Sequence, residues 1–427
     1  MKPSRSALPS RSALLSLGAA LALAATAAVP AAQAAPVTAV DGGAVVREWY
    51  DTTAQTVAAA GAPTQITNSR TWAISWLAAA RAAREAPAGR DRAAFEDAAV
   101  ASAVHDALLS LAPARAAELD AALAATLDRI PDGPAEDRGV AAGARQARAA
   151  LAEREGDGLD PESVNAPFTV PPAAPGVWQP TPDGYAPAIQ YGNRIAKPFL
   201  LDSPSQYRLG PPPALDSRRY RADLAEVRAY GKADSTVRTP RQTETAEFWY
   251  GPSLTLYTEP LRVAVTRSHR SAAGRAELVA LYHAALVDTQ IATSDSQYAY
   301  TRWRPVTAIR TGSIAPDPAW TPLHPTPAHP DYPSGHTTYA GASETVLGAL
   351  VGARTAPFSL TSPTAPGVHR TYTGWAELTR DNVDARVFSG IHSRSADEAG
   401  VVLGRTVALH ALRHADRLFE PRGTDRP

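Results

Sequence analysis

Three short stretches in the C-terminal half of this chain carry side chains suited to holding an oxyanion and moving protons beside it. The first is Trp303-Arg304-Pro305, at the end of the aromatic-rich "SQYAYTRWRPVTAIR". The second is "HPDYPSGHTTYAGA", residues 329–342, in which His329 and His336 stand seven positions apart ahead of a run of small residues. Pro333 fixes the approach to a helix, Ser334 can cap it and Gly335 permits a close backbone. A helix mouth of this kind gathers unpaired N–H groups and the positive end of the dipole, which together make an anion seat. His336 falls at its rim, where the helix field opposes protonation and a bound anion favours it.

The third stretch is "DARVFSGIHSRSADEAGVVLGRTVALH", with Arg386 and His392 six positions apart. On one continuous helix that spacing separates two side chains by about 240°. Ser389-Gly390 supplies a break, so Arg386 is expected to precede a turn and His392 to open the next helix. Along that helix His392 shares a face with Ala396, Ala399, Leu403 and Val407, and a buried histidine needs a partner.

Each stretch alone has an ordinary reading: Arg304 as a surface arginine stacked on Trp303, His336 as part of a helix-starting turn. Taken together they offer two arginines, two imidazoles, a hydroxyl and a glycine N–H, with no obvious pair of carboxylates. Such a set binds a tetrahedral oxyanion, with one imidazole to attack or coordinate it and another to transfer protons. A divalent metal would call for Asp or Glu among the ligands.

The order and spacing of "RP", "PSGH" and Arg-x5-His resemble the three-part signature of vanadium-dependent haloperoxidases and the type 2 phosphatidic acid phosphatase superfamily, which includes soluble bacterial acid phosphatases. "AVHDALLSLAP", "GARQARAALAEREGDG", "RTPRQTETAEFW" and "WRPVTAIR" look like its secreted bacterial haloperoxidase-like branch. The resemblance covers most of the chain after the leader. It implies an all-α fold of helical bundles in which Arg304, Ser334, Gly335 and Arg386 hold vanadate or phosphate oxygens. His392 would then be the axial vanadate ligand, or the phosphorylated nucleophile of a phosphatase, and His336 the acid–base imidazole. The substrates implied are hydrogen peroxide and halide, or a phosphate ester. His329 stands where bromoperoxidase-type members carry histidine, which favours bromide over chloride. Two positions depart from the signature. Gln297 occupies the place of a lysine seven residues before Arg304, on the same face if the helix continues, and brings no charge. Ala385 replaces the serine usual before the last arginine. Arg302 would lie about 200° around the helix from Arg304 and is a poor substitute for the missing lysine.

These groups need a scaffold, and composition supplies one: 427 residues, 44% hydrophobic and 20% charged, are enough for a large core. The formal net charge is zero, and lysine occurs only at positions 2, 197 and 232. Nothing in this distribution suggests a polyanion-binding surface, so nucleic acid is not an expected partner. Residues 1–34 read as a secretory signal, with Lys2, Arg5 and Arg11 ahead of an apolar stretch and Ala32-Gln33-Ala34 before the cleavage point. No later segment is apolar for long enough to span a membrane. An exported chain with no cysteine must rely on its core rather than disulfides. With methionine found only at position 1, it also lacks the side chains that oxidants attack first.

Residues 35–427 are expected to form one large α-helical domain. Helical periodicity runs through about 41–160, where His105 and Asp106 read as structural or surface residues and Pro113 interrupts the pattern. Residues 165–215 are dense in proline and must be extended, irregular chain anchored by Trp178, Tyr185, Phe199 and Leu200. Helices return over about 216–420, with no long alternating strand pattern and no repeat.

Overall fold

A computed structural model describes residues 43–182 and 184–420. The expected signal segment lies outside the described residues. Apolar residues at helical spacing produce six helices in the first part: α1 (Ala44–Ala60), α2 (Gln65–Arg84), α3 (Arg92–Leu111), α4 (Ala116–Leu127), α5 (Pro134–Glu153) and the short α6 (Pro161–Val164). Pro113 ends α3 and opens a 3-10 turn before α4, because its ring cannot continue the ladder. His105 bridges the Asp106 and Asp120 carboxylates at 2.8 and 2.9 Å, a structural role.

The proline-rich connection is irregular, as its composition requires. It is tied down by one carboxylate: Asp288 accepts the backbone N–H groups of Phe199, Leu200 and Leu201 at 2.6, 2.7 and 2.9 Å. Trp178, Phe199 and Leu200 are buried anchors. Tyr185 is not one of them, being 66% exposed with φ +48° at a turn.

The remaining helices are α7 (Arg218–Tyr230), α8 (Pro240–Phe248), α9 (Ser253–Arg267), α10 (Ala272–Tyr300), α11 (Pro305–Thr311), α12 (Gly335–Val351), α13 (Trp375–Phe388), α14 (Arg394–Arg413) and α15 (Asp416–Phe419). The class is all-α. Helix α10 is buried on nearly every side, as a helix without a polar face must be; it packs against α2, α12 and α14. A hairpin that the sequence pattern did not suggest, β1 (Arg354–Ser362) and β2 (Ala365–Gly374), separates α12 from α13. Its buried face is only Phe358, Leu360 and Tyr372 with a few neighbours, interrupted by prolines, so the alternation is too short to stand out.

Two glycines let α14 press on the first turn of α12. A methyl group at Gly400 would meet Thr337 Oγ1 at 2.2 Å and the Ser334 carbonyl at 2.7 Å, and one at Gly404 would meet the Thr338 carbonyl at 2.0 Å. This contact carries the Ser334 N–H to the Ala396 carbonyl at 3.0 Å and so sets the chain around His392 beside the helix mouth.

Candidate oxyanion site

The three stretches converge. Arg304 reaches the site from the residue before α11, Ser334 to His336 form the start of α12, Arg386 lies in the last turn of α13, and His392 in the turn before α14. Two expectations about local structure need correction. Helix α10 ends at Tyr300, where Thr301 turns left-handed with φ 45°, so Gln297 and Arg304 do not share a continuous helix face. His392 does not open α14 either; Ser393 caps that helix through Ala396 N–H and His392 precedes the cap. Gly390, at φ +79°, makes the break, and its α-carbon lies so close to Gly231 that an added methyl group would fall 2.4 Å from the Gly231 carbonyl.

Arg304 is fully buried. Its Nε donates to the His329 carbonyl at 2.6 Å and Nη1 to the Ile391 carbonyl at 2.7 Å. Nη1 also lies 3.0 and 3.3 Å from the two ring nitrogens of His392, and Nη2 lies 3.1 and 3.2 Å from those of His329. Near-equal distances to both nitrogens of one imidazole place Nη1 over the His392 ring and Nη2 over the His329 ring, with their N–H groups directed at the ring faces rather than lying in the ring planes. That arrangement leaves the His392 Nε2 electron pair directed elsewhere. Burial pulls the Arg304 pKa down to about 10, with Asp331 opposing the shift and Arg386 adding to it.

Arg386, also buried, donates to the Trp249 carbonyl at 3.3 Å, while its Nε has no partner. Burial lowers its pKa, and the carboxyl of Asp397 opposes that shift. Ser334 precedes α12, but its hydroxyl does not cap the helix; it is directed to the buried carboxyl of Asp397, whose charged form it favours against burial. The first bond of the α12 ladder runs from Thr338 N–H to the Ser334 carbonyl, which leaves the amides of Gly335, His336 and Thr337 ahead of it. A methyl group at Gly335 would meet only Thr293 Cγ2, at 3.9 Å.

Gln297 is fully buried at this place through a different geometry from that expected. Its Nε2 donates to the Pro333 carbonyl at 2.8 Å, and Oε1 has no partner. Arg302 turns away, its guanidinium 5.0 Å over the Tyr220 ring and donating to the Pro213 carbonyl. It cannot replace a lysine at position 297.

All three site imidazoles are held neutral. Burial, then the charges of Arg304 and Arg386, push the His392 pKa well below the usual histidine value. Burial and Arg304 do the same for His329, and burial and Arg386 for His336. His336 Nε2 stands 3.0 Å from the Gly251 carbonyl, an acceptor, so Nε2 carries the proton and Nδ1 is the basic atom.

The sequence reasoning missed Asp331, although it lies inside "HPDYPSGH". Its Oδ1 sits 2.8 Å from His392 Nδ1, and its Oδ2 accepts from Ser393 Oγ at 2.7 Å. It also missed the strap Trp249-Tyr250-Gly251, whose two outer carbonyls hold Arg386 and His336. Asp331 stands out only when a carboxylate within a row of donors is itself taken as a signal; nothing in the strap's residue types announces its role.

The donor set fits a tetrahedral oxyanion. Two guanidinium groups supply charge, and the unpartnered Arg386 Nε is a buried donor that such a ligand would satisfy.

Residues 277–421 match the family described as the VCPO second helical-bundle domain. Among solved structures, a bacterial vanadium-dependent iodoperoxidase superposes with a TM-score of 0.72 at 22% identity, over 87% of this chain and 96% of that one. The apo form of a bacterial vanadium-dependent chloroperoxidase gives 0.64 at 16% identity, over 84% and 96%. The holo form of a bacterial vanadium-dependent chloroperoxidase gives 0.62 at 15%, over 91% and 95%. No curated protein matches the chain.

Proposed function

From the premise that this chain falls within the vanadium haloperoxidase and type 2 phosphatidic acid phosphatase superfamily, we propose that it is a vanadate-dependent haloperoxidase using hydrogen peroxide to oxidise halide. The observation that supports the reading is that the buried charges of Arg304 and Arg386 both act on the buried His392, with His336 of the first turn of α12 under the same three groups.

When bound, vanadate supplies the electrophilic centre at which peroxide oxygen is transferred to halide. The chain's own groups do the rest. His392 offers its Nε2 electron pair as the covalent anchor. Arg304 and Arg386 neutralise anionic oxygens in a site where burial makes each charge count for more than it would in water. The Ser334 hydroxyl and Gly335 N–H donate to the remaining oxygens, and Gln297 contributes an amide where the signature has an ammonium. His336, with Nε2–H committed to the Gly251 carbonyl, accepts or returns a proton at Nδ1. By its resemblance to bromoperoxidase-type members at this position, His329 favours bromide before chloride. The leader read in residues 1–34 makes the site of action extracellular.

A phosphomonoesterase with a phospho-His392 intermediate is the competing reading, favoured by the carboxylate behind His392, which would orient the imidazole for attack. One preparation separates them. Bromide oxidation by peroxide that requires added vanadate supports the proposal. Hydrolysis of an aryl phosphate that vanadate inhibits, without halide oxidation, overturns it.

A further inference from the structure

His392 Nδ1 faces two acceptors of one residue, the Asp331 carbonyl at 3.0 Å and the Asp331 carboxylate Oδ1 at 2.8 Å. Two acceptors on one side of the ring require a proton on Nδ1, which fixes the electron pair on Nε2. The main-chain carbonyl would suffice to select that tautomer. The carboxylate adds something the carbonyl cannot, a negative charge 2.8 Å from Nδ1.

The carboxylate is also built in rather than incidental. Asp331 is buried. Its Oδ2 accepts from Ser393 Oγ at 2.7 Å, and its backbone N–H donates to the Arg302 carbonyl at 2.9 Å. Ser393 is at the same time the N-cap of α14, so one hydroxyl ties the carboxylate to the helix that follows His392. Burial raises the Asp331 pKa to about 6, with Arg304, the Ser393 hydrogen bonds and Arg302 opposing the shift, so the group is anionic at neutral pH.

We propose that Asp331 is a positioning residue that acts through His392: its carboxylate holds the Nδ1 proton and makes Nε2 a stronger electron-pair donor to the central atom of a bound oxyanion. A carboxylate behind a ligating imidazole raises ligand basicity, and loss of such a group typically weakens binding by about 10–100-fold. The inference rests on the reading that the oxyanion sits at His392.

The sign of the effect distinguishes this role from a merely electrostatic one. A buried negative charge close to an anion site repels the anion, so removing it would tighten binding by Coulomb attraction alone. Acting through His392, its removal weakens binding instead. The test is calorimetric titration of orthovanadate and of inorganic phosphate into the wild-type chain, Asp331→Asn, His392→Ala and the double variant. Asparagine keeps the shape and an acceptor for Nδ1–H while losing the charge. The expected result is weaker vanadate binding in Asp331→Asn by about tenfold or more, with no such weakening when the same change is made in His392→Ala. In proton NMR of the ligand-free protein, the His392 Nδ1–H resonance, assigned by its loss in His392→Ala, is expected far downfield and should move upfield in Asp331→Asn. Equal or tighter vanadate binding by Asp331→Asn, or an unmoved Nδ1–H resonance, overturns the proposal. Failure of the wild-type chain to bind either oxyanion overturns the functional reading instead, whereas the NMR result bears on Asp331 alone.

Discussion

The guanidinium of Arg304 lies over the imidazole face of His392, with Nη1 3.0 and 3.3 Å from the two ring nitrogens. A charge set above the ring leaves the ring plane to Asp331 on one side and to a ligand on the other. It also opposes any second proton on the imidazole, since two cations in contact in a buried site repel strongly.

Arg304→Lys tests that arrangement. Lysine keeps the charge but loses the planar fork that bonds the His329 and Ile391 carbonyls while directing N–H groups at two imidazoles. Vanadate affinity is expected to fall by at least about tenfold, roughly the value of one charge-assisted hydrogen bond. Calorimetric titration reads it directly, and wild-type affinity in the variant would show that charge alone suffices.

Ser334→Ala separates ligand binding from folding. The hydroxyl does not cap α12, and its approach to the Asp397 carboxyl falls short of a hydrogen bond of good geometry, so its removal should shift the thermal midpoint little. Oxyanion affinity should drop by about 5–10-fold for one lost hydrogen bond. A large fall in thermal stability with unchanged affinity would assign the hydroxyl to the fold instead.

Gln297→Lys restores charge to a fully buried position beside Pro333. An ammonium near two arginines gains a partner only when an anion is present, so the variant should bind vanadate more tightly, by about tenfold. Its ligand-free form should be less stable than the wild type, because the buried charge then lacks that partner. Unchanged or weaker vanadate binding would contradict the charge argument.

His283 predicts a pH dependence of stability away from the site. It is 2% exposed, stacked on Trp72 at 4.7 Å, and neither ring nitrogen has a hydrogen-bonding partner. Burial lowers its pKa from 6.5 to about 3. Between those values the unfolded chain binds the extra proton and the folded chain does not. The group's contribution is therefore fully present above pH 6.5 and declines by about 1.4 kcal/mol per pH unit as pH falls toward 3. His283→Phe keeps the stack and removes the titration. Urea midpoints at pH 7 and pH 5 should show the variant losing less stability than the wild type; equal losses would refute the assignment.

The sequence made the helices and the site's donors legible for different reasons. Helices show through apolar spacing that is local, as in Val100, Val104 and Leu108, all fully buried in α3. Arg304, Ser334, Arg386 and His392 could be named because their chemistry is unusual in combination. What stayed hidden depends on contacts distant in sequence. Asp331 becomes informative only when His392, 61 residues later, folds onto it. The backbone carbonyls of Trp249 and Gly251 leave no trace in residue type at all. The placement of Gln297 turned on one left-handed residue, Thr301, which ends α10 and cancels the helical-face argument while other contacts still bring Gln297 to the site.

The central claim is that His392 anchors a vanadate on which halide oxidation depends. Vanadate titrated into the ligand-free protein, with bromide oxidation by peroxide followed at each addition, tests it most directly. The expected result is activity rising in step with occupancy of one site per chain in the wild type, and weaker binding with no activity in His392→Ala. Vanadate-dependent bromide oxidation that survives in His392→Ala, or a wild-type protein that fills with vanadate and oxidises no halide, would contradict it.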